Sequence, residues 1–355
     1  MSVCCRDSSS SRLRQHLSST GESGETGSEP QNPSVSVRKV EVNEIIAQVF
    51  SVATLAVILT KTTPLLLAAL GGAFTQMGNI LNIGLEGMML AGAFAAVAVG
   101  AITNPFVGIL GGLAAAILLA LVFAIAALVF KADFIVVGIG INLLAIGTTV
   151  LLLTVIYGNA GVTPGNVKAI LPKIDLGQVG GIPLIGPTID DQTILVWLAL
   201  LLVPVYAYVL YRTPFGVHLR AVGEDEAAAI AAGINVVRVK FVSILVSGAF
   251  CGIAGAQLAM ATVGSFTSGM TASRGFIAVA ALTFGLGRPY RTMVACFIFG
   301  AADAVTDRLT LASVNSSLAL TTPYVITVIA LVLAAVRVRS ALNARSKKAL
   351  QLAGE

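Results

Sequence analysis

The sequence predicts an all-α polytopic membrane protein with about ten transmembrane helices and both termini in the cytoplasm. The first observation is composition: of the 355 residues, 56% are hydrophobic and 11% are charged, and the mean hydropathy is +0.92. Soluble globular domains contain about 25% charged residues. The second observation is the distribution of charged residues along the chain: residues 62–130 include a single charged side chain, Glu86. A transmembrane helix needs about 20 mostly apolar residues, so we expect lipid to surround much of the chain.

The predicted spans follow from the apolar runs, taken in chain order. The first covers residues 45–60. The run 64–104 is about 60 Å long as a helix at about 1.5 Å per residue, which is too long for one span and sufficient for two short ones. The other spans are predicted at residues 106–130, 134–157, 192–211, 241–261, 274–286, 292–306 and 317–336. Residues 41–340 therefore form the predicted transmembrane domain.

The placement of basic residues predicts the orientation. Ten spans put both termini on one side, together with Arg38, Lys131, the loop 212–240 and the basic segment that follows residue 336. An excess of lysine and arginine marks the cytoplasmic side. A cell-membrane protein with a cytoplasmic loop at 212–240 is therefore expected.

Both ends of the chain are predicted to be cytoplasmic tails. Residues 1–40 contain "DSSSSRLRQHLSSTGESGETGSEP", which has too little apolar surface to fold and is predicted to be disordered. Residues 341–355 form the predicted C-terminal tail. Because no soluble domain offers a basic face, the net charge of +5 is assigned to the loops, and nucleic acid is not an expected partner.

The motif "GNILNIGLEGMMLAG", residues 78–92, places Asn79, Asn82 and Glu86 between two apolar segments. A carboxylate at membrane depth is costly unless it faces protein or water, and irregular backbone there is tolerated where it lines a cavity or is buried in protein. One interpretation is a broken segment beside a transport pathway. The other is a tight cytoplasmic turn between two short helices, with Glu86 hydrated or paired structurally.

The motif "GEDEAAAIAAGIN", residues 223–235, predicts a short helix over residues 224–232. Its three acids suit the positive end of a helix dipole, and Gly233 is a typical C-terminal stop. Its alanines leave a smooth rod that fits a groove on another protein. The basic residues around it either hold it at the membrane face or contact an acidic partner. The alternative is an ordinary interfacial loop helix.

These residues resemble the "EAA" coupling segment of ABC-importer permeases. The stretch "GEDEAAAIAAGINVVRVKFVSILVSGAFCGIAGA" is similar to that segment in the family of branched-chain amino acid, ribose and nucleoside permeases. The motifs "NIGLEGMMLAGAF", "SRGFIAVAALTFGLGRPY" and "FGAADAV" resemble the nucleoside branch, whose permeases work with basic-membrane-protein-type lipoproteins. The resemblance covers residues 44–338.

The resemblance implies one membrane subunit of an ABC importer. It implies a cytoplasmic ATPase, a second permease subunit that is a copy or a relative, and an extracytoplasmic substrate-binding lipoprotein as partners. The sequence lacks the phosphate loop G-x-x-x-x-G-K-[ST], so ATP is expected in the partner, and no cofactor or metal is expected in this chain. The residues implied in coupling to the ATPase are Arg220, Gly223, Glu224, Asp225, Glu226, Ala227, Ala228, Gly233 and Arg238.

Polar residues in or near the spans are candidates for the pathway. Nucleosides are uncharged and carry hydroxyls and base-edge donors and acceptors, which amides and hydroxyls match better than fixed charges. The favoured pathway residues are Gln76, Asn79, Asn82, Glu86 and Asn142, each of which alternatively makes a packing hydrogen bond between helices. Asp303, with Asp307 and Arg308, is expected in an ion pair or in the docking surface for the binding protein, and Arg274 as an interface anchor.

Two other function classes stay open. An ion-coupled secondary transporter would need buried acids, for which Glu86 and Asp303 are the candidates. A membrane enzyme is disfavoured because the sequence holds only two histidines, His16 and His218, and no H-E-x-x-H or serine-elbow motif. Within the permease family, a sugar or a branched-chain amino acid is the alternative substrate.

Overall fold

The computed structural model describes residues 52–165, 167–174, 192–261 and 263–311. The predicted tails 1–40 and 341–355, the span 317–336 and the start of the span 45–60 lie outside these residues. Ten helices are described: α1 Val52–Met77, α2 Leu85–Ile102, α3 Pro105–Ala124 with a π-helical extension Ile125–Val129, α4 Phe134–Tyr157, α5 Ile194–Arg212, α6 Pro214–Glu224, α7 Glu226–Ala231, α8 Val236–Met260, α9 Arg274–Phe284 and α10 Pro289–Leu311.

Six of the helices in the described ranges are long and apolar enough to cross a membrane, and they confirm a multi-pass helical protein. They are α1 from Thr54, α2, α3 with its extension, α4, α5 and α8. The spans predicted at 106–130, 134–157, 192–211 and 241–261 each coincide with or lie almost entirely within one of these helices. The total of ten spans and the cytoplasmic placement of both termini remain predictions.

The boundary predicted between residues 60 and 64 is wrong, because α1 runs through both Lys61 and Pro64. Proline lacks the N–H that would bind the carbonyl four residues back. In α1 the hydroxyls of Thr60 and Thr63 donate to the carbonyls of Ala56 (3.0 Å) and Leu59 (2.7 Å). Neither hydroxyl contacts the carbonyl of Thr60, which Pro64 leaves without its helical partner. Packing against neighbouring helices lets membrane helices tolerate proline, and Thr62, Thr63 and Leu65 are 1–3% exposed.

Short polar side chains begin the helices that the sequence delimited well. The side chain of Asn104 accepts a hydrogen bond from the N–H of Val107 (2.9 Å) at the start of α3. Asp133 does the same for Ile135 (2.9 Å) at the start of α4. These caps satisfy N–H groups that have no partner within the helix, and they fix both boundaries.

The helix α8 lies at the centre and packs against α1, α2 and α3. Small residues permit the close approach: a Cβ atom on Gly252 of α8 would lie 2.8 Å from the carbonyl oxygen of Gly112 in α3, and one on Gly92 of α2 would lie 2.8 Å from the Cα of Gly252. Lipid tails are as apolar as the helices, so the hydrophobic effect does not drive helices together inside a membrane. Close packing through small residues stabilises the association instead. The core therefore follows the glycine pattern of the sequence.

The helix α4 lies at the periphery of the bundle. Its outward side chains include Val136, Leu143 and Val155, which are 67%, 66% and 72% exposed. An apolar face of this size is compatible with lipid or with another apolar surface.

Extended segments cover the end of the bundle where α8 finishes. Residues 161–165 and 167–171 run beside the segment after α8, with the N–H of Thr163 donating to the carbonyl of Phe266 (3.0 Å) and that of Leu171 to the carbonyl of Met260 (3.1 Å). Next to them, the antiparallel strands β1 (Lys173–Ile174) and β2 (Gln192–Thr193) form a short ribbon. We call this the strand end of the bundle, and the end that carries α6 and α7 the loop end.

Candidate functional site

The charged segment before α8 folds as two short helices, which corrects the single helix predicted over residues 224–232. Glu224 is the last residue of α6, so its predicted place in the first turn of the alanine-rich helix is wrong. Asp225 is extended, with φ −150° and ψ 108°, and its side chain accepts the N–H of Ala228 at 3.0 Å. An aspartate is among the best residues at the N-cap position, and this bond makes Asp225 the start of α7.

The end of α7 confirms the stop predicted at Gly233. Gly233 has φ +80°, its N–H donates to the carbonyl of Ile230 (2.9 Å), and the N–H of Ile234 donates to that of Ala229 (3.0 Å). This pair of bonds is a Schellman motif, which requires a left-handed residue at this position. Glycine adopts that conformation without steric cost.

The surface of α7 is bare and exposed. The residues from Glu224 to Ala228 are all exposed, and Ile230 is 60% exposed. Ala229 is 3% exposed and is the residue through which α7 packs on the protein. The helix therefore offers one short surface of methyl groups, preceded by three carboxylates.

Two contacts connect this segment to the transmembrane helices. The ammonium group of Lys240 in α8 lies 2.6 Å from the Oε2 atom of Glu226. On the other side, a Cβ atom on Gly223 would overlap the carbonyl oxygen of Met77, so α6 lies directly against the end of α1. The segment is thus attached to α8 and to α1.

The basic residues of the segment occupy different environments. The guanidinium group of Arg220 lies 5.5 Å from the centre of the Tyr211 ring, in cation–π geometry. Its buried Nε atom has no hydrogen-bond partner among the described residues. Arg212 and Arg238 are exposed and remain available to a partner.

The break predicted in the run 64–104 lies at residues 78–84, between α1 and α2. Asn82 is 3% exposed; its Nδ2 donates to the hydroxyl of Ser247 (3.2 Å), and its Oδ1 accepts the N–H of Gly84 (2.9 Å). Asn142 of α4 accepts the N–H of Gly87 (2.8 Å) and donates to the carbonyl of Ile83 (3.1 Å). These amides satisfy backbone groups that the break leaves without helical partners.

Glu86 joins α2 to the start of α9. Its carboxylate, 8% exposed as a residue, accepts the N–H of Ser273 (3.0 Å) and the N–H of Gly275 (2.6 Å). These N–H groups belong to the first turn of α9, whose dipole favours a negative charge. Glu86 is therefore paired structurally, which is one of the two forms that the turn interpretation allowed.

The structure brings together three of the five predicted pathway residues. Asn82 lies in the break, Glu86 lies in the first turn of α2, and Asn142 of α4 binds the backbone of both. Gln76 and Asn79 lie at the loop end. Gln76 has a buried Oε1 atom without a partner among the described residues, and Asn79 is exposed with φ 58°. A role for these five residues in lining a pathway stays a prediction.

A cavity of about 250 Å³ lies near the strand end, at residues that the sequence analysis did not select for the pathway. We call it the Gln257 cavity. It is bounded by α1, α8, the segment between α8 and α9, and the start of α9, and its lining residues are Thr60, Lys61, Pro64, Gln257, Leu258, Val263, Thr267, Met270 and Arg274.

Four charged groups form a network beside this cavity. Lys61 lies 2.6 Å from Asp307 and 3.9 Å from Asp303, and Arg274 lies 3.2 Å from Asp303. The sequence predicted an ion pair of Asp303 with Asp307 and Arg308; in the described residues Asp303 and Asp307 pair with Lys61 and Arg274, and the side chain of Arg308 lies outside them. Arg274 also donates to the carbonyl of Met270 (3.3 Å), so its contacts are within the protein instead of those of an interface anchor. The sequence feature that could have indicated Lys61 and Gln257 as site residues is the presence of a polar side chain within an otherwise apolar helix.

Comparison with protein families gives one match that spans most of the chain. Residues 54–339 match the family described as "Branched-chain amino acid transport system / permease component". No solved structure matches the chain.

Individual relatives are similar over most of their length. The chain is 34% identical over 299 residues to the "Guanosine ABC transporter permease protein NupQ" of Bacillus subtilis, covering 81% of this chain and 92% of the relative. It is 34% identical over 287 residues to the "Nucleoside ABC transporter permease protein NupC" of Lactococcus lactis, covering 78% and 90%. It is 35% identical over 264 residues to the "Putative glucose ABC transporter permease protein TsgC13" of Haloferax volcanii, covering 73% and 78%.

Proposed function

This chain belongs to the family of permease components of branched-chain amino acid transport systems, and from that premise we propose that it is a membrane subunit of an ABC importer for nucleosides. The family makes it a transport component of the plasma membrane and not an enzyme. The six apolar helices agree with a multi-pass protein.

The observation that carries the proposal is the exposed helix α7, together with the two contacts that attach α6 and α7 to the transmembrane helices. Its surface of small side chains is open to a partner, while Glu226 connects it to α8 and Gly223 lies against the end of α1. We propose that the ATPase subunit binds this surface and that its closure on ATP moves α6 and α7 as one unit. Such rigid-body movement is an established way to switch access in transport proteins.

The residues proposed for this contact have separate roles. The carboxylates and the exposed arginine Arg238 contact the ATPase, the alanines provide the close fit, and the glycines at 223 and 233 permit the approach to α1 and the turn after α7. The full set is Arg220, Gly223, Glu224, Asp225, Glu226, Ala227, Ala228, Gly233 and Arg238. Arg220 is the least accessible of these and supports the segment through Tyr211.

The proposed transport pathway passes the break between α1 and α2. Asn82, Glu86 and Asn142 lie at this break, Gln76 and Asn79 lie toward the loop end, and irregular backbone inside a membrane is tolerated where it is buried in protein or lines a cavity. We propose a second permease subunit, identical or related, as the other half of the pathway. An extracytoplasmic lipoprotein is the proposed donor of the solute.

The proposed substrate is a nucleoside. Two relatives at 34% identity are named as guanosine and nucleoside permeases and are matched over about nine-tenths of their length. Glucose is the second candidate, because the relative named for it is 35% identical over 264 residues. Both solutes are uncharged and rich in hydroxyl groups, so the membrane subunit faces the same chemistry in either case.

Reconstitution tests the proposal. The chain is purified with its ATPase and second permease subunit, placed in liposomes, and supplied with the binding protein and labelled guanosine or labelled glucose. We expect ATP-dependent accumulation of guanosine. Accumulation of glucose alone would identify the second candidate, and accumulation by the lone chain in a proton or sodium gradient would overturn the importer assignment.

A further inference from the structure

We propose that the Gln257 cavity is a binding site for the transported solute, in which the side-chain amide of Gln257 donates a hydrogen bond to an uncharged acceptor. This inference rests on the proposed function, because it takes the solute to be the cargo of the importer. It adds a location and a recognition group that neither the motifs nor the family description supplies.

The amide of Gln257 provides the first argument. Gln257 is 1% exposed and lies on the cavity wall. Its Oε1 atom accepts the hydroxyl of Thr193 at 3.0 Å, whereas its Nε2 atom has no partner in the described part of the chain. Thr193 fixes the orientation of the amide, and buried polar groups are almost always hydrogen-bonded. The unpaired donor thus belongs to a residue of the cavity wall, and its proposed partner is an acceptor on the solute.

The charges around the cavity provide the second argument. Lys61 and Arg274 line it, and both are already paired with Asp303 and Asp307. Two positive and two negative groups balance, so the network offers no net attraction to an anion or a cation, while an ion would lose its hydration on entry. The geometry points to an uncharged solute with carbonyl, ring-nitrogen or hydroxyl acceptors.

The size of the cavity agrees with one small solute. A volume of about 250 Å³ is close to the lower end of the usual range for ligand sites, which is about 300–1,000 Å³. This size is that of one small uncharged solute, whereas the charged phosphates of a nucleotide do not fit the balance of charge around the cavity.

The position of the cavity connects it to the loop end. Thr60 and Lys61 lie on α1, about 25 Å along the helix from Met77, and Gln257 lies on α8 about 25 Å from Lys240. Met77 and Lys240 are the residues that the charged segment contacts. Two of the helices that line the cavity, α1 and α8, are thus the two helices attached to that segment. A change in their spacing at the loop end would change the cavity.

Two variants test the site in the complete reconstituted importer. Gln257→Leu removes the donor, together with the acceptor of the Thr193 hydroxyl, with little change in volume. Val263→Phe fills the cavity from a residue that is 57% exposed and therefore tolerant of a larger side chain. Val155→Phe is the matched control, because Val155 is 72% exposed on α4, away from the cavity. The readout is solute accumulated per ATP hydrolysed, measured with labelled guanosine and with labelled glucose.

We expect Val263→Phe to lower the ratio at least tenfold and Gln257→Leu to lower it about twofold to tenfold, the range for one neutral hydrogen bond, while Val155→Phe stays at the wild-type ratio. Wild-type ratios in both cavity variants would overturn the inference and leave the importer assignment intact. If the wild-type complex accumulates glucose and not guanosine, the same losses measured with glucose would support the cavity and overturn the nucleoside assignment.

Discussion

Lys240 and Glu226 are joined by a 2.6 Å ion pair between helices that differ greatly in exposure. The side chain of Lys240 is 9% exposed and that of Glu226 is 52% exposed. A buried ammonium group requires a partner, so Lys240 holds α7 in place through Glu226. The ion pair thus attaches the exposed helix α7 directly to the central helix α8.

Charge reversal at this pair is expected to weaken attachment of the ATPase. Glu226→Lys puts a second ammonium group beside buried Lys240 and detaches α7 from α8, whereas Glu224→Lys reverses an exposed charge at the end of α6. We expect about a tenfold loss of ATPase affinity for Glu226→Lys, less for Glu224→Lys, and normal membrane insertion for both. Co-purification with the ATPase at graded concentrations measures this.

The swapped pair is the control for that experiment. Glu226→Lys combined with Lys240→Glu restores opposite charges at the same positions and is expected to recover at least half of the lost binding free energy. Unchanged ATPase stoichiometry in all three variants would argue against a coupling role for the segment.

A bulky charge on the bare surface of α7 is expected to block the same contact. Ala228 is exposed on α7, and Ala228→Arg would place a long side chain where the proposal requires a close fit. We expect ATPase binding to fall more than tenfold while the thermal stability of the permease changes little, because exposed substitutions cost about 0.5 kcal/mol or less. Ile102→Arg, at a residue that is 81% exposed at the other end of α2, is the matched control. Equal binding by both variants would show that α7 does not form the interface.

Features that depend on residues close together in the chain, such as helix ends, could be predicted from the sequence. Asn104 and Asp133 mark helix starts because their side chains bind nearby N–H groups, and Gly233 marks the end of α7 because it takes a positive φ. The break near Glu86 was predictable for a similar reason, since glycines and amides cluster there. The boundary predicted at Pro64 is wrong because the residues on both sides of the proline are packed inside the bundle: Thr62, Thr63 and Leu65 are 1–3% exposed.

The cavity could not be predicted in the same way because it depends on distant partners. Lys61 and Asp303 are far apart in the chain, and the partners that the sequence suggested for Asp303 were its neighbours Asp307 and Arg308 or a docked binding protein. Only the packing of α10 against α1 brings them together. The partners of Glu86, the N–H groups of Ser273 and Gly275, carry no side-chain signal at all.

Substitution of Gly233 is expected to loosen the end of α7. Gly233 has φ +80°, which costs residues with a Cβ about 1–2 kcal/mol, although asparagine tolerates it better. We expect Gly233→Val to raise amide hydrogen exchange over residues 228–234 about fivefold to tenfold and to lower ATP-driven uptake, with a smaller effect for Gly233→Asn. Exchange rates that are equal in the two variants and the wild type would contradict a structural role for the turn.

Replacing the carboxylate of Glu86 with an amide is expected to preserve assembly and to impair transport. In Glu86→Gln one oxygen still accepts an N–H group of α9, but the –NH₂ group then faces the other donor, which loses its partner at a cost of about 1–3 kcal/mol. The start of α9 carries Arg274 of the cavity wall, so solute uptake should fall while co-purification with the ATPase is retained. Normal uptake would remove Glu86 from the pathway residues.

The same variant separates the two transport mechanisms. In an ion-coupled carrier, Glu86→Gln would abolish the dependence of uptake on a proton gradient. In the importer, uptake depends on ATP both in the wild type and in the variant.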